Sequence, residues 1–116
     1  MGFRKMASEF TENVIHIIKN IPKGKVINYG TIAILAGNPR GARQVTRVLH
    51  SLSRKHNLPW QRVVNWKGRI SMKDPMSYEE QKTLLEYEGI EFSKHDQIDF
   101  EKYFWNIRSI RDITKF

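Results

Sequence analysis

Apolar and polar positions alternate along the chain in a way that divides it into a few short elements. Phe10, Val14, Ile17, Ile18 and Ile21 recur at helical spacing, so a first helix is expected over residues 8–20, ended by Pro22 and Gly24. KGKVINYG reads as a short extended piece. A second, short helix is expected to start at Tyr29, with Asn28 as its N-cap, and to stop at Gly37. Asn38 and Pro39 then read as the cap and opening residue of a third helix that runs to about Ser53. RVVNW and RISM flank the turn pair Lys67-Gly68 and predict a small β-hairpin. Ser77 and Glu80 form a capping-box pattern ahead of a fourth helix that buries Leu84, Leu85 and Tyr87 and stops at Gly89. GIEFS reads as a further extended piece. The final stretch, 97–116, carries Phe100, Tyr103, Phe104 and Trp105 and is expected to dock back on residues 1–96. The fold expected from these elements is mainly α with a small β-hairpin.

The third helix adds a chemical signal. On a helical projection Val45, Val48, Leu49 and Leu52 fall on one side, and Arg40, Arg43, Arg47, His50 and Arg54 on the other, roughly 190° away. No carboxylate lies between Pro39 and Asn57, so salt bridges within the helix do not account for the basic stripe. A short helix, a tight turn and a basic second helix form a helix-turn-helix pattern, whose partner would be nucleic acid. Composition points the same way. The 116 residues carry 20 Lys+Arg against 12 Asp+Glu, a net charge of +8, which favours a polyanionic partner.

Other features narrow the chemistry. The chain has no cysteine, which excludes disulfides, a thiolate nucleophile and cysteine-ligated zinc. His16, His50, His56 and His95 show no metal-ligand spacing, so neither a metal nor another cofactor is expected. No apolar run approaches the ~18 residues of a membrane span, and the first ten residues lack the apolar region of a signal peptide. The expectation is a monomer in the cytoplasm, or in the nucleus of a eukaryotic cell. Trp66 and Trp105 are expected to serve packing.

LPWQRVVN places a Pro-Trp-Gln-Arg run ahead of two valines. Together with IPKGKVINYGTIAILAGNPRGARQVTRVLHSL, WKGRIS and LLEYEGIEF, it resembles the DNA-binding domain of the O6-alkylguanine-DNA alkyltransferases. More closely, it is similar to their non-enzymatic relatives, the alkyltransferase-like proteins. The resemblance spans Phe10 to Phe92 and rests on the ordered set G-K-V-x-x-Y, G-N-P-x-x-A-R-x-V, P-x-x-R-V and E-G.

The resemblance implies a winged helix-turn-helix-like domain and a role for each matching residue. Trp60 stands where the transferases carry the cysteine that accepts the alkyl group, as is usual in the alkyltransferase-like proteins. Tyr29 matches the Tyr that presses on the target nucleotide's phosphate and helps rotate it. Arg43 matches the Arg finger that fills the vacated base stack, on a helix that this family inserts in the minor groove. Gly41 and Ala42 would allow close backbone approach, and Arg40, Gln44 and Arg47 would complete the DNA-binding surface. Tyr29, Pro59, Trp60, Val63 and Lys73 match the pocket that receives the flipped base, and Glu88 matches the Glu of the transferases' Cys-His-Glu relay.

Two positions depart from the family pattern. Gln61 replaces the His of the relay, and Lys73 stands where a base-facing Arg is common, a weaker stacking partner than a planar guanidinium. A hydrogen-bonded Gln61–Glu88 pair beneath the pocket is the structural alternative to a relay. The implied function is binding of duplex DNA that contains O6-alkylguanine, extrusion of the damaged base without removal of the alkyl group, and hand-over to nucleotide excision repair proteins. The alternative that the basic helix alone supports is a helix-turn-helix transcription regulator.

Overall fold

The structure, a computed structural model, describes residues 2–113, with side chains described from residue 9 onward. Five helices dominate it: α1 (Gly2–Lys19), α2 (Tyr29–Ala36), α3 (Ala42–His56), α4 (Pro75–Tyr87) and the short α5 (Phe100–Tyr103). Two-residue strands β1 (Ile27–Asn28) and β2 (Val63–Val64) and 3₁₀ turns at Trp60–Arg62 and Ile110–Asp112 complete the order. The mainly helical fold expected from the sequence is the one observed.

The β element is different from the expected hairpin. β2 pairs with β1, in parallel, with Ile27 opposite Val63 and Asn28 opposite Val64. The chain between the two strands is long enough to carry α2 and α3, and such a crossover is what a parallel pair requires. Val63 and Val64 are both buried, so β2 needs cover on two faces, which a solvated hairpin does not supply. Only the turn survives from the expectation: Asn65 N–H donates to Arg69 O at 2.9 Å and Gly68 N–H to Asn65 O at 3.0 Å, with Gly68 at φ +79°.

The small sheet also divides the core. Successive side chains on a strand point to opposite faces. Ile27 and Val63 join Val14, Ile17, Ile18, Ile32, Val45 and Val48 in the cluster between α1, α2 and α3. Their neighbours Val26 and Val64 join Leu85, Ile90, Ile98 and Tyr103 in a second cluster beneath α4. The C-terminal segment crosses between the two. Val26 N–H donates to Tyr103 O at 3.0 Å, Trp105 N–H to Val26 O at 2.8 Å, and Ile113 is buried in the first cluster.

Several element ends differ from the sequence reading. α1 begins at Gly2 rather than near residue 8, and α3 ends at His56, where Asn57 takes the left-handed conformation at φ 54°. Asn38 and Pro39 do not open α3. Asn38 forms a tight turn in which its carbonyl accepts from Gly41 N–H at 2.9 Å and its side chain from Arg40 N–H at 3.2 Å, and α3 starts one residue after Gly41. The N-cap of α4 is Asp74, whose carboxylate accepts from Ser77 N–H at 3.0 Å, with Pro75 in the first turn, so the Ser77/Glu80 capping box is not formed. Tyr87 points to solvent rather than into the core. Trp66, expected to pack, is also exposed and carries Lys67 Nζ 5.2 Å from its ring centre.

Candidate functional site

The Trp60–Arg62 turn is held from three directions. Arg62 makes a forked contact with Glu88, with Nε 3.0 Å from both carboxylate oxygens and Nη2 3.0 Å from Oε2. Arg62 Nη1 donates to Ile21 O at 2.8 Å, Gly24 N–H to Glu88 Oε1 at 2.9 Å, and Gln61 Nε2 to Glu88 Oε2 at 2.8 Å. Glu88 therefore joins the turn to the loop after α1 and to the end of α4. Burial pushes its carboxyl up, but the hydrogen bonds from Arg62, Gly24 and Gln61 outweigh this and hold it below the ordinary carboxylate range. The Gln61–Glu88 pair expected as the structural alternative is present.

A second anchor had no sequence signal. Gln81, in the middle of α4, is only 1 % exposed and donates through Nε2 to Gln61 O and Val63 O, both at 3.0 Å. Its amide satisfies carbonyls at the end of the 3₁₀ turn, where no regular partner is available. A lone polar residue at a core position of a helix gives no clue to the distant backbone it satisfies.

Trp60 thus sits on a rigid support, and it forms part of the wall of a cleft of about 800 Å³. Tyr29, Lys73, Ser71 and Met72 line the same cleft, and the second half of α3 supplies Leu49, His50, Ser53 and Arg54. Tyr29 occupies the first turn of α2, which Asn28 caps by accepting from Thr31 N–H at 2.7 Å. Its hydroxyl lies 2.9 Å from Ser71 Oγ, a bond between α2 and the segment after the turn. The structure therefore brings together Tyr29, Trp60 and Lys73. Pro59, half-buried just ahead of Trp60, is not among the lining residues, and Val63 is 1 % exposed within the first core cluster. Val63 matches a pocket position of the family, but here the strand turns it inward. Ser71 and Met72 were missed because their only marker was proximity to Lys73.

The other predicted residues surround the start of α3. Arg40, Arg43, Gln44 and Arg47 are exposed, as are His50 and Arg54 further along. Among the described residues, none of these cations pairs with a carboxylate. The basic face is thus free to meet a polyanion. Ala42 is half-buried and Gly41 is buried, and Gly41 has a reason for its small size that does not involve a partner. A Cβ there would lie 2.8 Å from Phe10 Cζ and 3.1 Å from Asn38 O. Gly41→Ala is accordingly expected to cost about 1–2 kcal/mol by overpacking, measured by urea denaturation, and Phe10→Leu in the same chain should recover part of the loss. Additive losses in the double variant would separate Gly41 from Phe10.

Residues 9–90 match the model of the DNA-binding domain of 6-O-methylguanine DNA methyltransferase. The chain is 37% identical over 102 residues to alkyltransferase-like protein 1 of Schizosaccharomyces pombe, covering 84% of this chain and 94% of that protein. The chain belongs to the alkyltransferase-like branch of this family. It is also similar to the DNA base-flipping protein of Escherichia coli, 45% identical over 104 residues, 88% of this chain and 80% of that one. The crystal structure of the S. pombe protein in complex with damaged DNA containing O6-carboxymethylguanine superposes with a TM-score of 0.75 at 35% identity, over 86% of this chain and 97% of that chain. The O6-methylguanine methyltransferase of Mycobacterium tuberculosis gives a TM-score of 0.55 at 26% identity, with 69% of this chain covering 48% of that one. This alkyltransferase-like chain carries Trp60 on a turn that Glu88 and Gln81 hold in place, with no cysteine anywhere to accept an alkyl group.

Proposed function

We propose that this alkyltransferase-like protein binds duplex DNA at O6-alkylguanine, rotates the damaged base into the cleft beside Trp60 and holds it there with the alkyl group intact. The observation that carries this reading is the meeting of Trp60, Tyr29 and Lys73 in one cleft flanked by the unpaired basic face of α3. The names of its relatives, a DNA base-flipping protein and one crystallised on damaged DNA, support it. Extrusion of a base costs a few kcal/mol, less where an alkyl group has already weakened the pair. Stacking on an aromatic side chain returns ~1–3 kcal/mol, and insertion of Arg43 would fill the gap in the duplex. Lys73 supplies a cation at the cleft but not a planar one. A complex that cannot repair its own lesion serves as a marker, and nucleotide excision repair is the pathway that would receive it. A helix-turn-helix regulator would use the α3 face but has no need for Trp60 on a buttressed turn.

Competition between O6-methylguanine and unmodified duplexes tests this reading. Selective retention of the modified duplex at physiological salt is expected, and equal affinity would overturn it. Arg43→Ala should weaken binding to damaged duplex far more than Arg54→Ala, because it removes the group that fills the stack as well as a charge. Equal effects of the two would reduce Arg43 to one phosphate contact among several.

Salt dependence gives an independent check on the basic face. With about five phosphates neutralised, log K should fall against log salt with a slope of about −4 to −5. A titration with a slope shallower than about −2 would show that the stripe does not face DNA.

A further inference from the structure

α4 has two faces, and the fold uses one. Gln81 and Leu85 are buried beneath it, and Lys82 is paired with Asp96 at 2.9 Å. The opposite face carries Met76, Glu79, Glu80, Thr83, Leu84 and Tyr87, a run at i, i+3, i+4, i+7, i+8 and i+11 that forms one continuous stripe. Pro75, Met76, Thr83 and Leu84 line a shallow apolar groove with Glu79 and Glu80 along it. Met76 is 81 % and Tyr87 90 % exposed. Single exposed apolar residues need no explanation, but here Met76 lines an organised groove and Tyr87 follows Leu84 on the same stripe, about one helical turn beyond it.

The charge of this face runs against that of the molecule. On a chain of net charge +8, Glu79, Glu80 and Glu86 are exposed, and Lys82, the one cation of α4, is already paired. Such a face repels the phosphate backbone that the α3 face attracts. We infer that the outer face of α4 is a docking surface for a protein partner, one that presents an amphipathic segment with apolar residues flanked by Lys and Arg. Helix-in-groove binding uses anchors at this spacing, Met adapts to irregular contacts, and Tyr supplies large contact area at low entropic cost. Glu80 lines both this groove and the Trp60 cleft, so a docked partner sits beside the cleft rim. The surface stands on α4 alone, whether or not the cleft takes an alkylated base.

The test uses the full ¹⁵N-labelled chain and a synthetic Leu/Lys peptide of about 15 residues with helical apolar spacing. Its expected result is chemical-shift change concentrated at Met76, Glu79, Thr83, Leu84, Glu86 and Tyr87. Met76→Ser with Tyr87→Ser should weaken the peptide about tenfold or more, as loss of large apolar anchors does. Glu79→Lys with Glu86→Lys should weaken it comparably, while neither variant loses affinity for duplex DNA. All four positions are exposed, so folding is not at stake. Equal binding of a Leu/Glu peptide, shifts centred elsewhere, or unchanged affinity in either variant would overturn the inference. So would the same shifts on adding duplex DNA, which would make the occupant nucleic acid, or on raising the protein concentration without peptide, which would make it a second copy of this chain.

Discussion

Glu88→Ala is expected to lower stability by about 3 kcal/mol, because it leaves the Arg62 guanidinium without its carboxylate in a largely dry site. For a chain of this size that corresponds to a fall of about 10–15 °C in Tm. The loss extends beyond one ion pair. Gly24 N–H and Gln61 Nε2 lose their acceptor at the same time, so the loop after α1, the 3₁₀ turn and the end of α4 all come loose. Glu88→Gln keeps the shape and an acceptor oxygen, so it should cost less. It should also change the response to acid. The folded carboxyl lies below its unfolded value, so its contribution is fully present above the ordinary carboxylate range and is lost as pH falls through the folded value. Urea denaturation at about pH 7 and about pH 3 should therefore show a smaller acid loss for Glu88→Gln than for the unmodified chain. An identical acid loss in both would remove Glu88 from the account of acid stability.

This node shows how much of the molecule was legible in its sequence. The short helix α2, apolar almost throughout, was legible from its caps Asn28 and Gly37. The basic face of α3 was legible because charge and hydrophobicity separate on one helix with nothing acidic to confuse them. The β element was not, because Val63-Val64 next to a Gly turn reads equally well as a hairpin arm or as a buried strand, and only the distant Ile27 decides between them. The same limit applied at the site. Trp60, Tyr29 and Lys73 were found through motif positions, but Gln81 and Arg62 act through backbone carbonyls far away in sequence, which no local pattern encodes. The motif marks Gly41 as small for close backbone approach, and the fold adds a reason of its own in Phe10 and Asn38, which leave no room for a Cβ.

The support under Trp60 bears on why no chemistry is expected here. Trp60→Cys should not by itself yield an alkyl acceptor. A free thiol has a pKa near ~8.5, so only a few per cent is thiolate at neutral pH. Gln61 stands next in the chain but cannot take the proton, since its amide nitrogen is a donor and is already committed to Glu88 at 2.8 Å. The substitution also removes the aromatic wall of the cleft, so it should weaken binding of damaged duplex. Trp60→Cys with Gln61→His is a different case. A His in place of Gln61 meets Glu88 already oriented by Arg62 and Gly24, so one ring nitrogen can donate to the carboxylate while the other accepts from the thiol. Transfer of label from O6-methylguanine DNA to protein under single-turnover conditions should then appear in the double variant first. Adding Glu88→Gln to that pair should reduce it again, because a neutral amide stabilises the imidazolium less than a carboxylate does. Rapid stoichiometric transfer by the Trp60→Cys single variant would show that Gln61 is no barrier and that the Glu88 node plays no part in keeping this cleft inert.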